Sequence, residues 1–408
     1  MVAVVGAVAR FRAGSALLGP AFVAAIAYVD PGNFATNMAA GSRYGYLLLW
    51  VVVAANTVAG LVQYLSAKLG LVAGKSLPEV VRDRLSRPAR LAYWAQAELV
   101  AMSTDLAEML GGAIALLLLF DLPLLLGGVL TGLVSTGLLL VRDRRSQRLF
   151  ERVLTTLLAV IAVGFVVGLF VAPPSLPEAA AGIVPQFKGP DSVLLVGGIL
   201  GATVMPHVIY LHSALARDRH GRLAGAALRR ALTATRLDVV LAMAFAGAVN
   251  IAMLLLAASA LRSAPDAGRL DGAFAAIDSL LGSGVAIVFA VGLLASGIAS
   301  TAVGSYSGAT VVEDLLRVRV PLLVRRLITV VPAFVLLALG VDPTFVLLLS
   351  QVVLSFGIPF ALIPLVRLTS ARSLMGTEVN RSATAVLAWA AAAVIIVLNL
   401  ILIALLFL

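Results

Sequence analysis

The chain alternates long apolar runs with short polar segments, and the length of the runs predicts its architecture. A helix needs about 20 apolar residues to cross the hydrocarbon core of a bilayer, and most of the runs reach that length. The pattern therefore predicts an all-α, polytopic membrane protein with eleven spans. The ninth run is short unless it begins within the preceding loop, and the eighth is long enough to continue beyond the membrane. The runs lie at 15–41, 44–67, 91–119, 123–141, 153–172, 193–216, 237–260, 273–309, 327–340, 344–366 and 383–408.

Two of the predicted spans contain residues that break helices. The first ends in "YVDPGNFAT", and the sixth contains "GGILGATVMPHVIYLHSAL". A proline has no backbone N–H, so Pro31 and Pro206 each free the carbonyl four residues earlier. A proline also disfavours helical geometry in the residue before it, which turns Asp30 and Met205 out of their helices. Each break therefore presents polar groups inside the membrane, where unpaired polar groups are costly.

The two breaks lie five spans apart. Because five is odd, a second group of five spans enters the membrane with the opposite orientation, as in an inverted repeat. Matching breaks in two repeats are typical of the binding site of a secondary transporter. The predicted segments are a cytoplasmic N-terminus (1–14), a first five-helix repeat (15–172), an extracellular loop (173–192), a second repeat (193–366), a cytoplasmic loop (367–382) and an eleventh membrane helix (383–408).

Composition agrees with a membrane protein and excludes several classes of site. The chain is 61% hydrophobic and 12% charged, whereas soluble domains are about 25% charged. It has no cysteine, which excludes disulfides, thiolate metal sites and a cysteine nucleophile. With only three histidines, a multi-histidine metal centre is not expected. The net charge of +10 does not require a nucleic-acid partner, because membrane topology and anionic lipid account for basic loops.

The placement of lysine and arginine predicts the orientation. If the N-terminus is cytoplasmic, the predicted cytoplasmic segments hold all but four of the 30 lysines and arginines. The N-terminus is therefore predicted inside the cell and the C-terminus outside, with the protein in the cell membrane. Residues 1–30 could also describe a cleaved signal peptide, but ten further spans follow and cleavage would remove half of the first break. The four exceptions are Arg43, Lys188, Arg262 and Arg269.

The residues at the two breaks form a candidate metal site. The first break offers the carboxylate of Asp30 and the amide oxygen of Asn33, and the second offers the carbonyl of Ala202 and the thioether of Met205. Oxygen ligands suit any divalent cation, but a thioether favours transition metals over magnesium or calcium. The set predicts a site for Mn²⁺ or Fe²⁺. Alternative roles are core packing for Met205, helix capping for Asp30 and a local turn for Asn33.

These motifs resemble a known family. "DPGN" in the first span and "MPHVIYLH" in the sixth are similar to the signature motifs of the Nramp family of proton-coupled manganese and iron transporters, and "TDLAEMLG" and "LLLSQVVLSFG" extend the likeness. The resemblance implies a LeuT-type fold: two inverted five-helix repeats with broken helices 1 and 6, plus an eleventh transmembrane helix. It implies metal uptake driven by protons, with the metal as substrate and no resident cofactor. It also implies that Gln351, in span ten, approaches the metal.

Three acidic residues lie on one face of span three. Their spacings of seven and three place them within about 80° of each other around the helix. Acids inside a membrane are rare and normally line a pathway or a bundle interior. The resemblance implies that this face leads protons from Asp30 toward the cytoplasm; the alternative is buried ion pairing without proton traffic. The acids are Glu98, Asp105 and Glu108, and the basic residues expected to join them are Arg325 and Arg326.

Two histidines follow the second break. His207 and His212 lie among apolar residues, where histidine is commonly a packing residue, yet they flank a broken helix and could titrate near neutral pH. We expect His207 in the proton pathway and His212 as a possible gate. His220 lies in an arginine-rich loop and is expected to be solvated. The amides of Gln63 and Asn250 are expected to hydrogen-bond between helices.

These features predict a secondary transporter that imports a divalent transition-metal ion with protons by alternating access, without an obligate protein partner. A sodium-coupled carrier of a small organic substrate would use a freed helix N-terminus for a carboxylate, and an aspartate with a methionine would be out of place there. A cation channel needs a continuous pore with repeated selectivity rings. A membrane enzyme is not expected, because no catalytic combination or nucleotide loop stands out.

Overall fold

The fold is built from helices, as seen in a computed structural model that describes residues 19–144, 147–262, 264 and 266–405. The predicted segment 1–14, and the start of the first predicted span, lie outside the described residues. The helices are α1 (Pro20–Ala27), α2 (Pro31–Tyr44), α3 (Leu49–Ala73), α4 (Leu77–Arg82), α5 (Arg87–Phe120), α6 (Leu124–Arg144), α7 (Gln147–Val171), α8 (Leu176–Ala181), α9 (Gly189–Thr203), α10 (Pro206–His220), α11 (Gly225–Ala260), α12 (Leu270–Leu281), α13 (Ser283–Leu316), α14 (Leu322–Ala338), α15 (Pro343–Thr369), α16 (Arg372–Met375) and α17 (Ser382–Leu405).

Each of the eleven predicted spans overlaps a helix or a pair of helices. The ninth span begins inside the preceding loop, at Leu322, which gives it a longer helix than its apolar run. The eighth differs from the prediction, because its expected extension is the separate helix α12; Gly282, with φ of 92°, divides α12 from α13. Eight helices of the described part are long and apolar enough to cross a membrane: α3, α5, α7, the α9–α10 pair, α11, α13, α15 and α17.

The contacts between helices link the two halves of the chain in reciprocal pairs. The most extensive contact joins α5 to α13, the third and eighth spans. The second half of the first span, α2, packs on α11, and the second half of the sixth span, α10, packs on α3. Likewise α7 packs on α13 and α15 packs on α5. An inverted repeat predicts this pairing, because a contact between two spans should recur between the equivalent spans of the other half. The boundaries of the repeats stay a prediction.

Glycines allow α5 to approach both the first break and α13. A Cβ atom built on Gly111 would lie 2.1 Å from the Cβ of Pro31, so this face of α5 lies directly against the proline of the break. One residue further, a Cβ atom on Gly297 of α13 would lie 2.8 Å from the backbone nitrogen of Gly112. Close helix packing in membranes depends on such small residues. The position of the first break therefore depends on the glycine pair in α5.

We expect the substitution Gly111→Ala to lower the apparent Tm of the purified protein in detergent, because the added methyl group overlaps Pro31 and overpacking costs about 1–3 kcal/mol. Gly137→Ala is the matched control, since no atom of the described residues lies within 4 Å of an ideal Cβ on Gly137. In a helix interior that exchange is expected to stabilise by about 0.5–1 kcal/mol. Thermal unfolding of both variants beside the parent tests this, and an unchanged Tm in Gly111→Ala would contradict the tight contact.

Candidate metal site and acidic network

The two helix breaks have the backbone geometry that their prolines predict. Asp30 has φ of −84° and ψ of 170°, and Met205 has φ of −72° and ψ of 119°, so both residues are extended between two half-helices. The side chains of Asp30, Asn33 and Met205 are buried, as is Ala202. The predicted breaks are therefore present, and their polar groups lie in the interior of the protein.

Asn33 joins the two breaks through hydrogen bonds. Its Nδ2 donates to the carbonyl of Ala202 at 2.9 Å and to Oδ1 of Asp30 at 2.9 Å. Its backbone N–H also donates to Oδ1 of Asp30, at 2.7 Å. Asp30 therefore does cap α2, as the alternative role requires, but with one carboxylate oxygen only. The carbonyl that Pro206 frees meets its donor in the opposite break.

Three buried acceptor oxygens at this place have no hydrogen-bond partner among the described residues. They are Oδ2 of Asp30, Oδ1 of Asn33 and Oε1 of Gln351. Gln351 lies against the first break, because a Cβ atom on Gly32 would lie 2.2 Å from its Nε2 and 2.8 Å from its Oε1. Buried polar atoms without partners are rare in proteins and call for an explanation such as a bound ion. A cation that these oxygens share would satisfy them.

The backbone of Gln351 also lies against the second break. A Cβ atom on Gly201 of α9 would lie 1.8 Å from the carbonyl oxygen of Gln351. Span ten therefore contacts both breaks at one residue. Within the described residues, no group of three or more histidine or acidic side chains could hold a metal. The candidate site at the breaks instead offers one carboxylate, that of Asp30, beside neutral oxygens and a thioether, and the ligand roles of the five predicted residues stay a prediction.

Two carbonyls of the first break, those of Tyr28 and Val29, are held by side chains from other spans. Nδ2 of Asn250 in α11 donates to the carbonyl of Tyr28 at 2.7 Å. Oγ of Ser296 in α13 donates to the carbonyl of Val29 at 2.6 Å. The expected helix-to-helix role of Asn250 is thus present, whereas Ser296 was not singled out from the sequence, where it is one of several serines in an apolar helix.

A second set of bonds links the first break to the histidine predicted as a gate. Nε2 of Gln63 in α3 donates to the hydroxyl of Tyr28, and Oε1 of Gln63 lies 2.7 Å from Nδ1 of His212 in α10. Gln63 therefore bridges helices, as expected. Tyr28 was missed by the sequence analysis, although its position two residues before Asp30 is a signal that could have found it. The gating role of His212 stays a prediction.

The structure separates the three acids of α5 into different environments. Nη2 of Arg325 lies 3.4 Å from Oε1 of Glu98, and this guanidinium also donates to the carbonyl of Ser305 at 3.3 Å. Both oxygens of the buried Asp105 have no hydrogen-bond partner in the described part of the chain. The carboxylate of Glu108 lies against α13, since a Cβ atom on Gly304 would lie 2.7 Å from its Oε2. Glu98 is therefore part of an ion pair with Arg325, whereas Asp105 has no such partner among the described residues.

The second break and α5 meet at His207. Nδ1 of His207 lies 3.3 Å from the hydroxyl of Thr104, the residue before Asp105. Nε2 of His207 is buried without a hydrogen-bond partner among the residues described. The structure therefore places this predicted pathway histidine beside the acidic face of span three. Arg326 lies in α14, but its side chain is outside the described part of the structure.

A cavity approaches the breaks from the side predicted to be extracellular. Its volume is about 610 Å³, and it is lined by residues of α2, α9, α15 and the segment before α12. It reaches Gly198, one turn before Ala202, and Val352, the neighbour of Gln351. Asp30 and Met205 themselves have no exposed surface. The cavity therefore leads toward the candidate site from that side and ends short of it.

Charged side chains tie the helices together on the opposite side. Nη1 of Arg217, at the end of α10, lies 3.1 Å from Oδ2 of Asp314 in α13 and also contacts Oε2 of Glu79 in α4. Oγ of Ser76 donates to the same oxygen of Asp314 at 2.5 Å. From the sequence, Arg217 is only one of the basic residues that follow the sixth span, although the S-x-x-E pattern of Ser76 and Glu79 indicates a capping box.

Comparison with known proteins agrees with the fold and the motifs. The model of the family described as "Natural resistance-associated macrophage protein-like" (Nramp) matches residues 21–405. The chain is 59% identical over 388 residues to the divalent metal cation transporter MntH of Mycobacterium tuberculosis, covering 95% of this chain and 91% of that protein. It is 48% identical over 384 residues to the MntH of Deinococcus radiodurans, covering 94% and 88%.

Solved structures show the same architecture. A crystal structure of the Eremococcus coleocola manganese transporter superposes with a TM-score of 0.87 at 31% identity, covering 96% of this chain and 86% of that one. A nucleobase–cation symporter superposes with a TM-score of 0.59 at 20% identity, which shows a shared fold alone. The predicted LeuT-type fold is thus confirmed. Because the family model spans both breaks and nearly all of the described helices, the chain belongs to the Nramp family.

Proposed function

We propose that this chain imports divalent transition-metal ions, Mn²⁺ and Fe²⁺ among them, together with protons by alternating access. The observation that carries the proposal is a set of three buried oxygens, on Asp30, Asn33 and Gln351, that have no hydrogen-bond partner in the described part of the chain and lie beside the break that holds the thioether of Met205. The relatives reported above are named as transporters of divalent metal cations or manganese. The chain is accordingly a transporter and not an enzyme, as the sequence predicted.

The donor set explains which ions the site would accept. Asp30 supplies the one formal charge, and Asn33 and Gln351 supply neutral oxygens. The carbonyl of Ala202 accepts a hydrogen bond from Asn33 but has a second lone pair for a cation. The thioether of Met205 is a soft ligand, so it stabilises transition metals more than it stabilises magnesium or calcium. Selectivity is therefore expected to depend on sulfur and affinity on the carboxylate.

Proton coupling would use the acidic face of α5. Asp105 is buried, has no hydrogen-bond partner in the described part, and follows Thr104, whose hydroxyl lies beside His207. Glu98 and Arg325 continue the same face toward the side predicted to be cytoplasmic. A proton that leaves the Asp30 region when a metal binds could thus pass to Asp105 and onward. Alternating access would close the outer cavity and release the charged cluster around Arg217.

The direct test is transport by purified protein in proteoliposomes with a pH-sensitive dye inside. We expect saturable Mn²⁺ uptake that acidifies the lumen and accelerates as the external pH falls. Uptake without acidification would remove the proton from the proposal, and flux that fails to saturate would indicate a channel. Running Fe²⁺, Co²⁺, Cd²⁺, Ca²⁺ and Mg²⁺ in the same vesicles gives the order of preference among the ions.

Asp30→Ala is expected to weaken Mn²⁺ binding by about 100-fold or more, because it removes the only charged ligand of a buried cation. Asn33→Ala is expected to weaken binding by about tenfold, since it deletes a neutral oxygen. Isothermal titration calorimetry measures both. Asn37→Ala is a matched control on the same helix: it loses a bond to Asn250 but not a proposed ligand. Full Mn²⁺ affinity in Asp30→Ala would place the metal elsewhere.

Met205→Ala is expected to retain Mn²⁺ transport but to lose discrimination against Ca²⁺, because water or oxygen can replace sulfur for hard ions. Competition by Ca²⁺ against Mn²⁺ uptake is expected to strengthen by about tenfold or more, the contribution of one soft ligand. Met109→Ala, which truncates a buried methionine of α5, should leave the competition unchanged. If Ca²⁺ is excluded equally by Met205→Ala and the parent, the selectivity role is wrong.

Asp105→Asn separates the movement of metal from the movement of protons. The substitution keeps the size and shape of the side chain while it removes ionisation, so Mn²⁺ binding should survive. Metal-stimulated acidification of the vesicles should fall sharply, and the remaining uptake should lose its dependence on external pH. A purely structural role would instead lower Tm and transport together and leave the ratio of protons to metal unchanged. Measuring both fluxes in the same vesicles decides between these outcomes.

A further inference from the structure

Span ten contains two prolines whose freed carbonyls are both bonded by side chains of other helices. Pro359 and Pro364 lie inside α15, and each removes the backbone donor for the carbonyl four residues earlier. Those carbonyls belong to Ser355 and Phe360. Nδ2 of Asn399 in α17 donates to the carbonyl of Ser355 at 2.9 Å. The hydroxyl of Tyr93 in α5 donates to the carbonyl of Phe360 at 2.7 Å.

Asn399 makes a second bond to the same residue. Its Oδ1 accepts the hydroxyl of Ser355 at 2.7 Å, so the two polar ends of one amide hold one residue of span ten. Asn399 is the only charged or amide residue in the sequence of α17, an otherwise apolar helix. A buried amide in a membrane helix needs partners, and here both come from Ser355. The amide of Asn399 therefore bonds the carbonyl that Pro359 frees, and the hydroxyl of Ser355 bonds the amide.

The residue that Asn399 holds lies one helical turn after Gln351. That turn contacts both breaks: the amide of Gln351 lies against Gly32, and a Cβ atom on Gly201 would lie 1.8 Å from the carbonyl of Gln351 and 2.9 Å from the nitrogen of Ser355. A shift of this turn would therefore move the Gln351 side chain relative to the first break. The hydrogen bonds of Ser355 to Asn399 act on the same turn.

The eleventh span also contacts the other helix that carries the site. A Cβ atom on Gly197 of α9 would lie 2.5 Å from Cδ1 of Leu402 in α17. Leu402 lies three residues after Asn399, which places both on neighbouring positions of one helical face. Thus α17, which lies outside the predicted pair of five-helix repeats, touches both α15 and α9 close to the breaks.

We propose that Asn399 is a positioning residue for the metal ligand Gln351. By bonding both the freed carbonyl and the hydroxyl of Ser355, it holds span ten at its proline break and keeps the Gln351 amide against Gly32. The inference rests on the proposed function, because it takes Gln351 as a ligand of the metal. It assigns to the eleventh span a part in metal binding that acts through span ten.

The test is a double-mutant cycle on Mn²⁺ affinity, measured by calorimetry on the full chain. Asn399→Ala is expected to weaken binding about 3- to 10-fold, and no more than Gln351→Ala, because it acts through one neutral ligand. Added to Gln351→Ala, it is expected to change the Kd no further, since residues that act through one contact are not additive. Ser355→Ala deletes only the hydroxyl bond, so it should weaken Mn²⁺ binding less than Asn399→Ala does, and it too should add nothing to the effect of Gln351→Ala. It replaces Asn399→Ala in the cycle if that variant does not fold.

Two controls separate positioning from general stability. Tyr93→Phe removes the bond to the other freed carbonyl of span ten, and Asn56→Ala removes an amide bond to the carbonyl of Met243. Both should lower Tm in the manner of Asn399→Ala yet keep the parent Kd for Mn²⁺. Two outcomes would overturn this inference while leaving the proposed function intact. One is an equal loss of affinity when Asn399→Ala is introduced into the parent and into Gln351→Ala. The other is a parent Kd in Asn399→Ala while Gln351→Ala binds weakly. A parent Kd in Gln351→Ala would overturn the ligand role of Gln351 and the inference with it.

Discussion

A backbone carbonyl inside a bilayer must be bonded by the protein itself, because no water is present to replace a lost helical partner. The proline breaks of this chain create that requirement, and at Pro206, Pro359 and Pro364 side chains from distant helices meet it. Asn33 bonds the carbonyl of Ala202, Asn399 bonds that of Ser355, and Tyr93 bonds that of Phe360. The bond of Asn33 lies at the candidate site and that of Asn399 lies one turn from Gln351, so these two bonds link the arrangement of the helices to the position of the site.

In the first break, one side chain links the two breaks and keeps an oxygen available for a ligand. Asn33 uses Nδ2 to hold Ala202 and Asp30, which leaves its Oδ1 without a partner among the described residues. The two carboxylate oxygens of Asp30 differ in the same way. Oδ1 caps α2, whereas Oδ2 has no hydrogen-bond partner among the described residues. Buried polar networks that are only partly satisfied are costly. A bound cation would complete the network, which links occupancy of the site to the contact between the two breaks.

The acidic face of α5 shows a similar division. Its three acids share a helix face by spacing alone, yet the structure pairs Glu98 with Arg325 and leaves Asp105 without a hydrogen-bond partner in the described part. Glu108 lies against Gly304, where a larger residue of α13 would meet its carboxylate. A pathway and a structural ion pair are therefore not exclusive alternatives for this face. Different residues of it can serve each role.

The sequence by itself determined the membrane class, the approximate positions of the long helices, both breaks and the side chains that the breaks present, because apolar length and proline geometry act within a single segment. The ligand roles of those side chains stay a prediction. It also marked Gln63 and Asn250 as links between helices. Only the tertiary structure decided that Gly282 divides the eighth run and that Arg217 ties Glu79 to Asp314. It also decided that Ser296 bonds the carbonyl of Val29, that Asn399 bonds that of Ser355, and that Tyr28 is the partner of Gln63 and Asn250. The local sequence predicts which backbone carbonyl loses its helical hydrogen-bond donor. The donor that replaces it comes from a segment up to 267 residues away, so packing between helices chooses it.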